Sequence, residues 1–248
     1  MTEATAGEVQ AIVAARRLEH ARSVFIGVGR PSTAAMLARM IHNPELVLIY
    51  ESGTIGAKPF HIPLSIGDGE LAETADAVVS VPEMFNYWIG PGRIQVGFLG
   101  AAQIDRFGNL NSTVIGDYRR PRTRLPGAGG APEIASSCEQ VVVIAPHSPR
   151  TFVEALDFRT TVGFGGGAED RRRLGFRGLG PTAVITDLGV LEPDPETKEM
   201  TLTQIHPRAE VEQVQRETGW ELRVADKPGL TPPPSDDELS ALRELLSR

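Results

Sequence analysis

Continuous apolar runs, rather than alternating ones, mark the strands of this chain. "SVFIGVG" at 23 to 29 and "LVLIY" at 46 to 50 carry almost no polar side chain from start to end. A strand wetted on one face must alternate, so runs of this kind have to be covered on both faces. Further strands are expected at 77 to 81, 93 to 99, 140 to 145 and 182 to 186. Between the first two lies "PSTAAMLARMIH", 31 to 42, which reads as a helix with Pro31 in its first turn. Ahead of them "EVQAIVAARRLEH", 8 to 20, puts Val9, Ile12, Val13 and Leu18 on one helical face with charges opposite. Helices alternating with buried strands predict an α/β fold: an open, mainly parallel sheet flanked by helices.

That architecture says where to look for chemistry. The carboxyl ends of parallel strands converge on one rim, and reactive groups collect there. "IYESGTIGAKPF", 49 to 60, ends a buried strand on Glu51 and follows it with Ser52, Gly53 and Gly56. Glycines beside an acid clear space for a carboxylate to project into a cleft. A solvated strand-end acid is the structural alternative. "GVGRPS", 27 to 32, lies between strand and helix and offers backbone amides to an anion, but it lacks the third glycine of a dinucleotide fingerprint. "GAGG" at 127 to 130 and "GFGGG" at 163 to 167 either expose amides or make tight turns.

Composition narrows the choice of function. A formal net charge of −7 argues against a chain whose main work is gripping nucleic acid. The single cysteine, Cys138, excludes an internal disulfide and a multi-cysteine zinc site, and reads as a small buried hydrophobe. His20, His42, His61, His147 and His206 are spread without ligand spacing, so no metal site is expected. His61 is the histidine near Glu51. No window approaches the roughly 18 apolar residues of a membrane span, and "MTEATAGEVQ" carries acids where a secretion signal would be basic and apolar. Cytoplasmic residence away from membranes is the expectation. Two basic clusters stand out: "DYRRPRTR", 117 to 124, and "EDRRRLGFR", with four more arginines from Arg171 to Arg177. Each is either a solvated loop or a seat for an anion, on a phosphorylated small molecule or an acidic partner chain.

Residues 100 to 135 are rich in Gly, Asn, Thr and Arg and lack a period, which suits a long glycine-rich functional loop system. Asn109, Asn111, Ser112 and Asp117 either pin that loop by local hydrogen bonds or line a site. Tyr118 either donates to an oxyanion or satisfies its own hydroxyl. Beyond it, "LGVLEPDPETKEMTLTQIHP" reads as two strands joined by a Pro-Asp turn, with a short helix near 209 to 218. "PPPSDDELSALRELLSR" adds a rigid spacer, a Ser235/Glu238 capping box and an amphipathic helix that packs on a neighbour or lies on the surface. The expected organisation is one domain, 1 to 248, with this spacer and helix at about 228 to 248.

"GAAQIDRFGNLNSTVIGDY", 100 to 118, together with "ESG" at 51 to 53, "GAGGAPEIA" at 127 to 135 and "GPTAVITDLGVL" at 180 to 191, resembles the β subunit of class I coenzyme A transferases, in the glutaconate-transferase branch. The likeness runs from about residue 8 to residue 225, with its motifs in the family's order. It implies the transferase fold, with Glu51 as nucleophile: the carboxylate attacks an acyl-CoA, giving an acyl-glutamyl anhydride and then a glutamyl-CoA thioester. It further implies that Ser52, Gly53, Gly100, Ala101, Ala102, Gln103, Asn109, Tyr118, Gly129, Gly130 and Trp88 line the substrate and CoA site, the glycine segments facing the oxyanion. A related α subunit is implied as obligate partner, in an α2β2 assembly. CoA thioester enters as substrate, with no other cofactor and no metal.

Within that family, "ESGTIGAKPFHIPLSIGDGE" and "PEMFNYWIGPGRIQVG", with Phe85, Tyr87 and Trp88, are most similar to the β subunit of the cholesterol ring-cleaving hydrolase of steroid-degrading actinobacteria. The main expectation is therefore a hydrolase of steroid breakdown that opens a cyclohexenone-carboxyl-CoA, a cyclic β-keto thioester, by carbon–carbon cleavage. The aromatics would wall the acyl pocket, and Glu51 either activates water, orients another group or merely persists while an acid on the α chain serves as the base. Two other readings stand beside it: a CoA transferase working between dicarboxylic or oxo acids through a thioester on Glu51, and a noncatalytic acyl-CoA-binding subunit.

Overall fold

The computed structural model describes residues 3–248. Helix α1 (Ala6–Arg16) opens with a capping box, in which the Glu8 N–H donates to the Thr5 hydroxyl at 3.2 Å and the Thr5 N–H donates to Glu8 at 2.7 Å. It leads into β1 (Ser23–Ile26), α2 (Arg30–Leu37), which closes in a π turn over Ala38–His42, and β2 (Val47–Tyr50). Next come β3 (Thr54–Ile55), α3 (Gly69–Glu73), β4 (Ala77–Val78), α4 (Val81–Glu83) with a second π turn over Met84–Ile89, and β5 (Val96–Leu99). The stretch expected as a long loop holds two small hairpins, β6 (Gln103–Ile104) with β7 (Leu110–Asn111), and β8 (Val114–Gly116) with β9 (Pro121–Arg124). The chain then runs through α5 (Ala131–Ser137), β10 (Gln140–Ile144), α6 (Ala168–Arg173), β11 (Pro181–Ile185), β12 (Gly189–Pro193), β13 (Met200–Ile205), α7 (Val211–Arg216), β14 (Arg223–Leu230) and α8 (Asp236–Ser247).

Ten strands form one sheet, in the order β14-β13-β12-β11-β10-β5-β1-β2-β3-β4. From β11 through β10, β5 and β1 to β2 the pairing is parallel, whereas β3, β4, β12 and β13 join antiparallel. Side chains alternate across this centre, as strand geometry requires. Val24, Ile26, Leu48, Phe98 and Val142 enter a core under α1, α2 and α8, while Phe25, Ile49, Leu99, Val141 and Val143 enter a second core with Met84, Ile134 and Phe152. Both faces are apolar because both are covered. No helix among the described residues is long and apolar enough to cross a membrane.

The C-terminal helix docks on its own chain rather than standing free for a neighbour. Leu239, Leu242 and Leu245 of α8 are buried against the first core. Its corner with α1 is reciprocal. The capping-box glutamate of each helix also takes an arginine from the other: Arg243 donates to Glu8 at 2.7 Å, and Arg16 donates to both oxygens of Glu238 at 2.6 Å. Burying three leucines contributes about 1.5–3 kcal/mol each, against roughly 1 kcal/mol for a partly exposed ion pair, so packing docks the helix and the pairs set its register.

The hydrogen bond from Arg243 holds the Glu8 carboxyl down at about 2. For Glu238, burial pushes upward, but Arg16 and the Ser235 cap outweigh it and the net direction is down. Stability from these depressed carboxyls is fully present above the ordinary glutamate value of 4.5 and is lost as pH falls from there toward 2. Thermal unfolding of the protein between about pH 6 and pH 3 should show a falling Tm, and Glu8→Gln, costing about 1 kcal/mol at neutral pH, should flatten that fall. An acid slope identical in the variant would remove Glu8 from this account.

Candidate active site

The rim at the carboxyl ends of the parallel strands gathers the segments that carry polar side chains. β2 ends at Tyr50, and the chain reverses at once into β3, with Ile49 paired to Ile55. The reversal depends on Gly53, at φ +100, whose N–H donates to the Tyr50 carbonyl at 3.0 Å. A Cβ there would fall 2.0 Å from the carbonyl oxygen of Val79 on the neighbouring segment, so no other residue fits. Glu51 and Ser52 form the tip of this turn. Glu51 is half-buried, and the hydroxyls of Ser52 and Thr54 are buried without a hydrogen-bond partner among the described residues.

The loop entering α5 faces the same carboxylate. A Cβ built on Gly129 would lie 3.7 Å from both Glu51 oxygens, and one on Gly130 would lie 3.4 Å from Oε1 and 2.6 Å from Cζ of Phe85. Glycine at 130 is thus the condition for Phe85 and Glu51 to close on the same point. The N–H groups of Gly129 and Gly130 meet no acceptor among the described residues, whereas Gly127 donates to the Ser112 carbonyl at 2.9 Å. Glu51, Gly129 and Gly130, distant in the sequence, are brought together.

The other expected site residues divide. Gly100, Ala101 and Ala102 follow the end of β5, two strands from β2, with Gly100 open to the rim. Gln103 is buried and fully engaged: it donates to Asp157 at 3.0 Å and accepts from Asn111 at 2.7 Å and from the Asp157 N–H at 3.0 Å. Asn109 donates to Asp105 and to the Gly165 carbonyl, and accepts from the N–H groups of Gly163 and Gly165 at 2.9 and 3.0 Å. Both amides hold the loop system from inside. Asp105, at the centre of that network, has its pKa raised by burial despite the donors around it. Tyr118 sits on the tip of the β8–β9 hairpin, stacked on Phe158 with ring centroids 5.4 Å apart.

The remaining motifs are structural. In "GFGGG" the Gly163 and Gly165 amides go to Asn109, Gly166 to Asp170 at 2.8 Å and Gly167 to the Phe164 carbonyl at 2.9 Å, so this is a tight turn and not an anion seat. Arg171 is buried and donates to the carbonyls of Gly163, Ala135 and Gly178, tying that turn to α5 with no carboxylate partner among the described residues. Burial pushes the Cys138 thiol up to about 12, which leaves it protonated and unreactive. His61 turns to Glu70 at 3.3 Å on the surface. Among the described residues no group of His, Cys, Asp and Glu is arranged to hold a metal ion.

Phe85 is the contact that the sequence left undistinguished. It packs edge-on to Phe25 at 6.5 Å and against Gly130, while Trp88 lies half-buried on the second core and Tyr87 is 63% exposed. Phe85 and Trp88 thus pack on one core, and Tyr87 stands outside it.

Comparison with known proteins corrects the main expectation. The β subunit of the 3-oxoadipate CoA-transferase of Pseudomonas knackmussii is 54% identical, covering 100% of this chain and 95% of that protein. The β subunit of the glutaconate CoA-transferase of Acidaminococcus fermentans is 34% identical over 90% of this chain and 86% of its own, and the crystal structure of that enzyme superposes with a TM-score of 0.92, covering 98% of this chain and 95% of that one. The IpdB subunit of the cholesterol ring-cleaving hydrolase of Mycobacterium tuberculosis is 26% identical, over 98% of this chain and 94% of its own. The assignment to a carbon–carbon hydrolase of cholesterol catabolism is therefore overturned: twice the identity lies with a transferase. The coenzyme A transferase profile matches residues 8–217, and the chain belongs to that family.

Proposed function

We propose that this chain is the β subunit of a two-chain CoA transferase that moves CoA between dicarboxylic or oxo acids, 3-oxoadipate foremost, through a glutamyl thioester on Glu51. The observation that carries the reading is the 54% identity, over all 248 residues, with the β subunit of a 3-oxoadipate CoA-transferase. The site's geometry agrees with it. In this chemistry the Glu51 carboxylate attacks the thioester carbonyl, the carbon–sulfur bond breaks, and CoA thiolate leaves behind an acyl-glutamyl anhydride. The thiolate then attacks the glutamyl carbonyl, releasing the first acid and leaving CoA on Glu51. A second carboxylate repeats the sequence in reverse. No water is consumed, and no cofactor is called for beyond CoA itself as substrate.

Each tetrahedral intermediate carries an oxyanion that needs donors already in place. The unpaired amides of Gly129 and Gly130 are the donors this chain offers beside Glu51, and the buried, unpartnered hydroxyls of Ser52 and Thr54 flank the same turn. The α chain completes the site, in an α2β2 assembly.

Incubating the co-purified complex with 3-oxoadipyl-CoA, then with borohydride, should yield a peptide reduced at Glu51 by mass spectrometry. Glu51→Gln keeps size and loses charge, so it should preserve folding and association with the α chain while CoA exchange falls about a thousandfold or more. Hydrolysis of the thioester without a trapped adduct would refute the transferase reading, and binding without turnover would favour the noncatalytic role.

Gly130→Ala tests the oxyanion seat. The new methyl must displace the Phe85 ring, so exchange should fall by about tenfold or more with the fold intact. Adding Phe85→Leu should recover much of the loss, because the two changes share one space. Full activity in Gly130→Ala alone would show that these amides are not positioned for the intermediate.

A further inference from the structure

The tip of the β8–β9 hairpin concentrates positive charge that no acidic side chain among the described residues pairs. Residues 117 to 124 hold four arginines against one aspartate, in a protein of net charge −7. Asp117 is occupied with backbone, accepting from the N–H groups of Arg119 and Arg120 at 2.9 Å each. The side chains of Arg119, Arg120 and Arg122 are exposed and meet no acid among the described residues. Unpaired arginines clustered this closely repel one another, a cost that an incoming polyanion would relieve.

The tip is also stiff. Tyr118 stacks on Phe158 at an interplanar angle of 23°, Arg124 lies over the Tyr118 ring at 5.0 Å, and Arg124 donates to the Tyr118 carbonyl at 3.1 Å. Segments held this way lose little entropy when a ligand is seated. From Arg124 the backbone continues in order toward the site: the Leu125 N–H donates to the Thr113 carbonyl at 3.0 Å, and the Ser112 hydroxyl to the Gly127 carbonyl at 2.8 Å. Gly129, against Glu51, is reached seven residues after Arg122, at most about 25 Å of extended chain. The pantetheine arm of CoA falls within that bound.

We infer that the β8–β9 hairpin seats the phosphates of CoA's nucleotide end, with Arg119, Arg120 and Arg122 as the anion-binding side chains while the thioester lies at Glu51. The inference rests on the transferase reading for its ligand. Recognition is by charge and by guanidinium forks, which match phosphate geometry.

The test is CoA binding by titration calorimetry to the co-purified complex, set beside pantetheine, which lacks the phosphates. The triple change Arg119→Gln, Arg120→Gln, Arg122→Gln should weaken CoA binding by about tenfold to a hundredfold, and the loss should shrink as salt is raised, with pantetheine binding unchanged. Arg172→Gln, on α6 and paired with Glu169, serves as the charge control and should leave both affinities as they were. Unaltered CoA affinity in the triple variant would overturn the inference, as would equal losses for CoA and pantetheine. Failure of that variant to co-purify with its partner would assign the arginines to the contact between the two chains instead. CoA exchange is measured separately on the unmutated complex: its absence with CoA binding intact and arginine-dependent would defeat the transferase reading and leave the phosphate seat standing.

Discussion

Covering both faces of a parallel sheet leaves the strand ends as the place where the sheet's backbone can meet a ligand. In this chain β1, β2, β5 and β10 alternate between two closed cores, so no polar group can be put on their faces without losing burial on one side. Chemistry is displaced to the rim, and the rim is shaped by the loops that must start there. Glu51 lies at such a start because β2 reverses immediately into β3, and the reversal leaves its tip uncovered. The loop before α5 supplies the other wall. Sheet, turn and loop are therefore consequences of one requirement, that the two cores stay dry.

Much of the sheet was legible from the sequence because a doubly covered strand leaves an unbroken apolar signature. β3 was not, since "TI" within "ESGTIG" is too short to show a period and its glycines read as a turn. The hairpins between residues 100 and 135 escaped for a related reason: their strands are two to four residues long and rich in Asn, Thr and Arg. What the sequence did convey there was that the segment is not ordinary surface, and the internal bonding of Gln103 and Asn109 accounts for that composition.

The pairing of Glu51 with Gly129 and Gly130 was legible only through resemblance, because nothing in local spacing links residues so far apart. The aromatic stretch is a different case. Phe85, Tyr87 and Trp88 sit on a π turn, where Phe85 and Trp88 pack on the second core and Tyr87 is exposed, a division that spacing alone does not convey. Weight placed on those few residues favoured a cyclic substrate, whereas identity along the whole chain points to a transferase.

Arg171 has a consequence for how the molecule comes apart. Its guanidinium is satisfied by the carbonyl dipoles of Gly163, Ala135 and Gly178, so its own contacts hold no carboxylate, among the described residues, for a proton to cancel. The corner between α1 and α8, docked by its leucines, takes its register instead from two glutamates. Protonating those two glutamates therefore loosens the register of α8 on α1 and leaves the contacts of Arg171 as they are, so two arginine-built junctions of one molecule answer differently to acid.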